Sequence, residues 1–368
     1  MTAANAAVEE TQRMVEALES TGRFMVLQRF TPVDKFQSFQ NEEARSRSKL
    51  AMVFACKTTG RNAESDRLVR LSYVMVRFSS ETGVIYEVDS AYSGLEDPGA
   101  PISQRMERVI GISDAELSGK SFDTARINED ISRAVVFISH NAEVDRRFLE
   151  GRFETVSDKW FISSQREAPW EKFGVASRNL EFLAFAVAGF FLREASHLME
   201  VEALVQVLAR KTPGGEHVLK EMLDASREPT WRIWASASQT EQKRTLFERG
   251  YRMTESVTQD KQPIKGWSRV VRSLENEMAF LGARVYLEPV KITVEEISGK
   301  ERYSDKAGRS EQVLITLPSS KGEDTSKAEE EATDQGARSQ TQQLRTLSTA
   351  DRKTTQSQKP APAGDFPI

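Results

Sequence analysis

The sequence predicts an α/β protein, with a smaller α/β unit and a polar tail behind its main domain. Three observations carry that reading. Residues 50–56 are an unbroken apolar run closed by Thr58, Thr59 and Gly60, the pattern of a central strand covered on both faces. Residues 67–78 and 83–92 are strand-like and joined by a turn sequence at 79–83, so three consecutive strands should form one meander. Residues 134–138 form another apolar run, followed by Val144, Phe148 and Leu149 at helical spacing.

The remaining elements follow in order. Residues 3–18 have helical composition, 24–28 read as a short strand, and 37–49 as a helix or linker. Pro98 and Pro101 stiffen a loop. Residues 122–131 should be helical, 160–162 an edge strand, and 179–191 and 197–209 two helices joined by a turn. Thr212, Pro213, Gly214 and Gly215 mark a boundary. Beyond it come a helix at 217–227, a strand at 230–235, a helix at 241–249, a strand at 265–270 and a helix at 274–282, and the unit ends in segments 285–287 and 290–294. From Ser319 the chain is polar almost to its end and should be disordered, because it has too little apolar surface to offset ordering.

Composition narrows the function classes. The 368 residues carry a formal charge of −4, so any nucleic-acid contact must come from local patches. The one cysteine, Cys56, lies within the apolar strand, which rules out an intrachain disulfide and suits the cytoplasm. The start is alanine-rich and acidic and does not read as a secretory signal. No run of about 20 apolar residues is present, so no membrane partner is expected.

The turn after the first strand, together with His140, Asn141, Ala142 and Asp145 after the second run, resembles the first two motifs of the DnaQ-like DEDD exonuclease superfamily, which includes the DNA polymerase III epsilon subunit. Gly111, Ile112, Ser113 and Asp114 resemble a segment that lies between those motifs. The family strand reads Asp-x-Glu-Thr-Thr-Gly; here Ala55 and Lys57 stand at the two acids. The resemblance implies an RNase H-like mixed sheet flanked by helices, followed by a small α/β module and a disordered C-terminal tail. The expected divisions are 1–48 for an N-terminal helix and linker, 49–212 for the exonuclease-like domain, 213–305 for the accessory module and 306–368 for the tail.

In that family four acids hold two divalent ions and a His acts as general base. Ions about 3.5–4 Å apart steady an in-line displacement, and Mg²⁺ requires oxygen ligands. Asp145 matches the second acid. Aligning residues 199–204 with the family pattern puts Glu200 at the fourth acid and Ala195 at the general base. A second register uses His197 with Glu202, which keeps the five-residue spacing but disturbs the neighbours; the first keeps more of them and is preferred. Replacing Asp and Glu by Ala55 and Lys57 moves the local charge from −2 to +1. Each charge pair at 4 Å is worth about 4 kcal/mol at an effective dielectric of about 20. Asp145 and Glu200 alone should therefore hold metal weakly or not at all, and Lys57 should pair with one of them. No tightly bound cofactor is expected; Mg²⁺ or Mn²⁺ enters only if activity remains.

The resemblance further implies binding of a single-stranded nucleic-acid 3′ end, taken to be DNA, beside Thr58, Thr59, Gly60, His140 and Asn141, and a partner protein in replication or repair. Three functions are open: a nucleic-acid binder with lost or strongly impaired catalysis, a residual metal-dependent 3′–5′ exonuclease, and a protein-interaction scaffold. Plainer roles stand beside these. His140 reads as a structural residue at a strand end, His197 as a satisfied helix histidine, His217 as a surface residue and Cys56 as packing. In the accessory unit, Trp231, Trp234, Tyr251 and Trp267 interleave with Arg232, Arg249, Arg252, Lys265 and Arg269. That is the composition of a base-stacking face, although strand alternation sends at least one Trp to the core.

Overall fold

The computed structural model describes residues 3–192, 196–236, 239–257, 262–304 and 309–315. The elements run α1 (Ala3–Glu19), β1 (Gln28–Arg29), α2 (Glu42–Arg47), β2 (Lys49–Thr58), β3 (Leu68–Phe78), β4 (Ile85–Leu95), α3 (Gln104–Ile110), α4 (Asp114–Leu117), α5 (Thr124–Arg133), β5 (Val136–Ser139), α6 (Ala142–Arg152), β6 (Trp160–Ser163), α7 (Ser164–Glu167), α8 (Leu180–Leu183), β7 (Phe190–Phe191), α9 (His197–Leu208) and α10 (Val218–Arg227). The chain continues through β8 (Thr230–Ala235), α11 (Thr240–Arg249), β9 (Arg252–Val257), β10 (Pro263–Val271), α12 (Leu274–Arg284), β11 (Val290–Ile297) and β12 (Arg309–Ile315).

The first sheet has the order β4-β3-β2-β5-β6. β2, β3 and β4 are the antiparallel meander, and β5 and β6 run parallel to β2. This mixed sheet flanked by helices is the RNase H-like arrangement. The unbroken apolar run is explained by burial on both faces. Leu50, Met52 and Phe54 pack with Phe137, Phe161, Ile131 and Phe148 on the α5–α6 side. Ala51 and Val53 pack with Val201, Leu204 and Leu208 of α9 and Met222 of α10 on the other. By alternation Ala55 and Lys57 fall on the α9 face, where β2 ends.

Two expectations change in detail. The helix expected over 179–191 is one α turn followed by a π turn, Ala184–Ala188, stopped by Gly189 in the left-handed region (φ 76°). The strand expected over 24–28 is only Gln28–Arg29, because β7 offers two residues to pair with.

The second sheet is antiparallel, in the order β12-β11-β8-β10-β9. Ile233, Leu246, Tyr251, Leu281 and Val294 form its core. Its outer strands escape sequence reading: Arg252–Val257 is polar, and Arg309–Ile315 lies in the stretch assigned to the tail from 306. The tail from Ser319 onward lies outside the described residues. Both sheets belong to one compact unit, Met1–Leu317.

The aromatic and basic residues of this second sheet are spent on its own stability. Tyr251 and Trp234 are buried, and Trp231 and Trp267 pack against the core. Glu277, itself buried, takes Arg249 at 3.2 Å and Arg269 at 3.0 Å, while buried Glu295 takes Arg232 at 3.1 Å. Lys265 pairs with Glu255. The composition that suggested a stacking face is thus mostly core and internal ion pairs.

Candidate functional site

The Thr-Thr-Gly turn folds on itself. Thr58 Oγ1 donates to the Gly60 carbonyl at 2.6 Å, and Thr59 N–H donates to the Arg67 carbonyl at 2.9 Å. Arg67 N–H in turn donates to Thr59 Oγ1 at 2.9 Å. A Cβ on Gly60 would come within 2.2 Å of the Asp66 carboxylate, which explains the glycine. The Thr59 backbone N–H is therefore occupied within the turn.

At the end of β5, Ser139 Oγ donates to Asp145 and accepts from Asn141 N–H at 3.1 Å. The Asn141 carbonyl receives the Asp145 N–H at 3.1 Å. The His-Asn-Ala-x-x-Asp spacing thus sets Asp145 in the first turn of α6, folded back on the strand end. His140 is fixed at both nitrogens. The Ser164 hydroxyl donates to Nδ1 at 2.6 Å, and Nε2–H donates to the Arg178 carbonyl at 2.9 Å. Those partners assign the neutral tautomer, and burial holds its pKa below the ordinary histidine value. It borders the cleft as a fixed wall.

α9 supplies the next group. Ser196 caps its N-terminus, accepting from Met199 N–H at 3.3 Å, and Glu200 in the first turn reaches the sheet. Lys57 Nζ is 3.4 Å from Glu200 Oε2, and His197 Nδ1 is 3.6 Å from the same oxygen. Burial pushes the Glu200 carboxyl up, but His197 and the Lys57 ammonium outweigh it and leave it below the ordinary glutamate value. Glu202 is raised by burial and by the charge of Asp34; it makes no described contact with Lys57 or His197. Of the two registers, the structure brings His197 to Glu200 rather than to Glu202. Ala195 lies outside the described residues.

Asp145 retains some exposed surface but is surrounded by protein. Burial pushes its carboxyl up to about 7, against the pull of the Ser139 hydroxyl and Lys57. Between about pH 4 and 7 the folded chain therefore keeps a proton that the unfolded chain has released, and stability falls as pH rises through that window. The penalty above pH 7 is about 2–4 kcal/mol, nearer the lower figure because the group is partly open to water. Asp145→Asn keeps an acceptor for Ser139 without a charge, so it should raise stability at pH 8 and leave it nearly unchanged at pH 4. Urea unfolding at the two pH values measures this, and equal shifts at both would contradict it. Cys56, with its Sγ 3.8 Å from the Asp145 carbonyl, is pushed well above the ordinary thiol value by burial and stays a packing group.

A cleft of about 390 Å³ opens on this face, lined by Phe54, Ala55, His140, Asn179, Glu200 and Leu204 among others. Sequence reasoning missed Arg70. It pairs with Lys57 across β2–β3, so both side chains leave the same face. The signal was the strand register, which the seven-residue loop between Gly60 and Leu68 hides.

The donor set does not suit a pair of divalent ions. Among the described residues no three His, Cys, Asp or Glu side chains converge to share one. Ala55 contributes no ligand, and Lys57 supplies a positive charge beside Glu200.

No protein-family profile and no curated protein matches the sequence. Solved structures do. Exonuclease X in complex with 5′ overhanging duplex DNA is similar at 17% identity over 48% of this chain and 98% of that one, with a TM-score of 0.35. The nuclease domain of 3′hExo, a DEDDh family member, bound to rAMP, is similar at 11% identity over 45% and 92%, with a TM-score of 0.34. Exonuclease I in complex with the inhibitor BCBP is similar at 12% identity over 50% and 48%, with a TM-score of 0.35. These are likenesses of fold, each spanning about half of this chain.

Proposed function

We propose that this chain binds nucleic-acid 3′ ends, single-stranded DNA foremost, through an exonuclease-like cleft in which two-metal hydrolysis is lost or strongly impaired. The observation that carries this reading is the Lys57–Glu200 pair at 3.4 Å, beside Ala55 at the edge of the cleft. A built-in ammonium offsets Glu200, and the family's remaining acid, Asp145, is half protonated near neutrality. Such a cleft offers too little net negative charge to hold a pair of dications. It can still accept an anionic strand. The work of the chain is then recognition in replication or repair, alone or with a protein partner, in the cytoplasm.

One observation favours residual hydrolysis as a second reading: His197 stands 3.6 Å from Glu200, so Asp145, Glu200 and His197 would be the groups to hold one Mg²⁺ or Mn²⁺ ion and manage a proton. The experiment is a labelled single-stranded oligonucleotide, followed by anisotropy in EDTA and by gel in Mg²⁺ or Mn²⁺. Salt-dependent binding with no shortening is expected. Metal-dependent shortening from the 3′ end would favour the second reading, and no binding under any condition would leave a protein scaffold.

A further inference from the structure

We propose that Lys57 and Arg70 form a metal-independent anion site that takes a phosphate monoester, the 3′-phosphorylated end of a strand. This rests on the cleft being a strand-end site, and it narrows which ends are taken. The two residues are register partners across β2 and β3, so two cations project side by side from one face at the end of the central strand. The positions beside them are small: Ala55 pairs with Ser72, whose hydroxyl shares a hydrogen bond of 2.9 Å with Ser93. Ala55 and Glu200, the neighbours of Lys57 in the strand and in the ion pair, line the cleft.

Arg70 is under-compensated. Its Nε is buried with no hydrogen-bond partner. Glu116 and Glu200 act on it through space, yet burial still holds the guanidinium below its ordinary value. A buried guanidinium nitrogen without an acceptor costs free energy, and an incoming oxyanion would supply the acceptor. Lys57 offers Glu200 one contact at 3.4 Å and remains 30% exposed at its side chain, so its ammonium can turn further donors toward a ligand. Lys57 stands against Glu200, and Glu116 and Glu200 act on Arg70 only through space. A phosphate monoester, with three free oxygens and about 1.5–2 negative charges at pH 7, can accept from both cations at once.

Charge also distinguishes this arrangement from a metal site. Ions supplied from solution make binding depend on divalent cations, whereas Lys57 and Arg70 bring their charge with the chain and should bind in EDTA. The guanidinium fork suits a phosphate's paired oxygens, and the ammonium acts as a point charge beside it.

The test uses the full chain in EDTA with one oligonucleotide carrying either a 3′-phosphate or a 3′-hydroxyl, read by anisotropy. The phosphorylated strand should bind about tenfold more tightly, equivalent to about 1.4 kcal/mol. Lys57→Gln and Arg70→Gln, each checked for folding by circular dichroism, should each bring the ratio of the two affinities, measured on the same variant, close to one. A nucleoside 3′-monophosphate is the second arm. Competition only at far higher concentration than the strand assigns the site to strand ends; equal competition assigns the phosphate site to free nucleotides and overturns the strand-end assignment. Equal affinity for the two strands overturns the inference while leaving strand binding intact. Failure of both strands to bind overturns the inference and the proposed function together.

Discussion

Arg146→Ala should lower the unfolding free energy by about 3–5 kcal/mol, the range for breaking a buried ion pair from one side. Arg146 is fully buried. Its guanidinium pairs with Glu150 at 2.7 Å, donates to the Arg302 carbonyl at 2.6 Å and to the Ser157 carbonyl at 3.2 Å, and lies 4.4 Å from the centre of the Phe161 ring. Arg302 continues the network to Glu167 at 3.3 Å, where Tyr303 donates at 2.5 Å, and Ser304 donates to Glu150 at 2.8 Å. Helix α6 and α7 of the first sheet's domain are thus bound to the turn that follows β11 of the second. Alanine would leave Glu150 without its cation and take the guanidinium donor from two carbonyls. Tyr303 holds a left-handed backbone (φ 69°) that only its surroundings can enforce. Urea denaturation of wild type, Arg146→Ala and Arg146→Met/Glu150→Met measures the effect. The double substitution removes both charges and should cost less than the single one; a single-variant loss under about 1 kcal/mol would show that the network contributes little.

Ala55→Asp with Lys57→Glu should raise Mn²⁺ affinity at least about 100-fold, a gain of about 2.7 kcal/mol. The change shifts the local charge by three units toward negative. Each added interaction at 4 Å is worth about 4 kcal/mol at an intermediate dielectric before screening by water and salt. Glu200, released from Lys57, and Asp145 would complete a cluster of four carboxylates, which is the ligand chemistry that hard divalent cations require. Calorimetric titration reads this directly. Added Ala195→His tests whether a histidine restores cleavage in that background, since ion binding and proton transfer are separate requirements. If the double variant binds Mn²⁺ no better than the wild type, Lys57 and Ala55 do not stand at the ion positions.

The sheet was legible because burial on both faces forces an uninterrupted apolar run: residues 50–56 and 134–138 are the central β2 and its parallel neighbour β5. What pattern could not supply was register. Arg70 is a surface-type residue in the sequence and a cross-strand partner of Lys57 in the fold. His197 read as a bland helix histidine, yet its position at the start of α9 places it three residues from Glu200 and beside its carboxylate. The second unit misled in the other direction. Its Trp, Tyr and Arg residues mimic a nucleic-acid face, but β-strand alternation and two buried glutamates turn them inward. An edge strand as polar as β9 carries little apolar signature and escapes a pattern search.

On the proposed function the Lys57 ammonium beside Glu200 takes the place of divalent charge, and titration of the unmodified protein with Mn²⁺ at low ionic strength tests that most directly. Weak or no saturable heat at millimolar ion is the predicted result. Two ions bound per chain with micromolar affinity, and lost on Asp145→Asn, would contradict it.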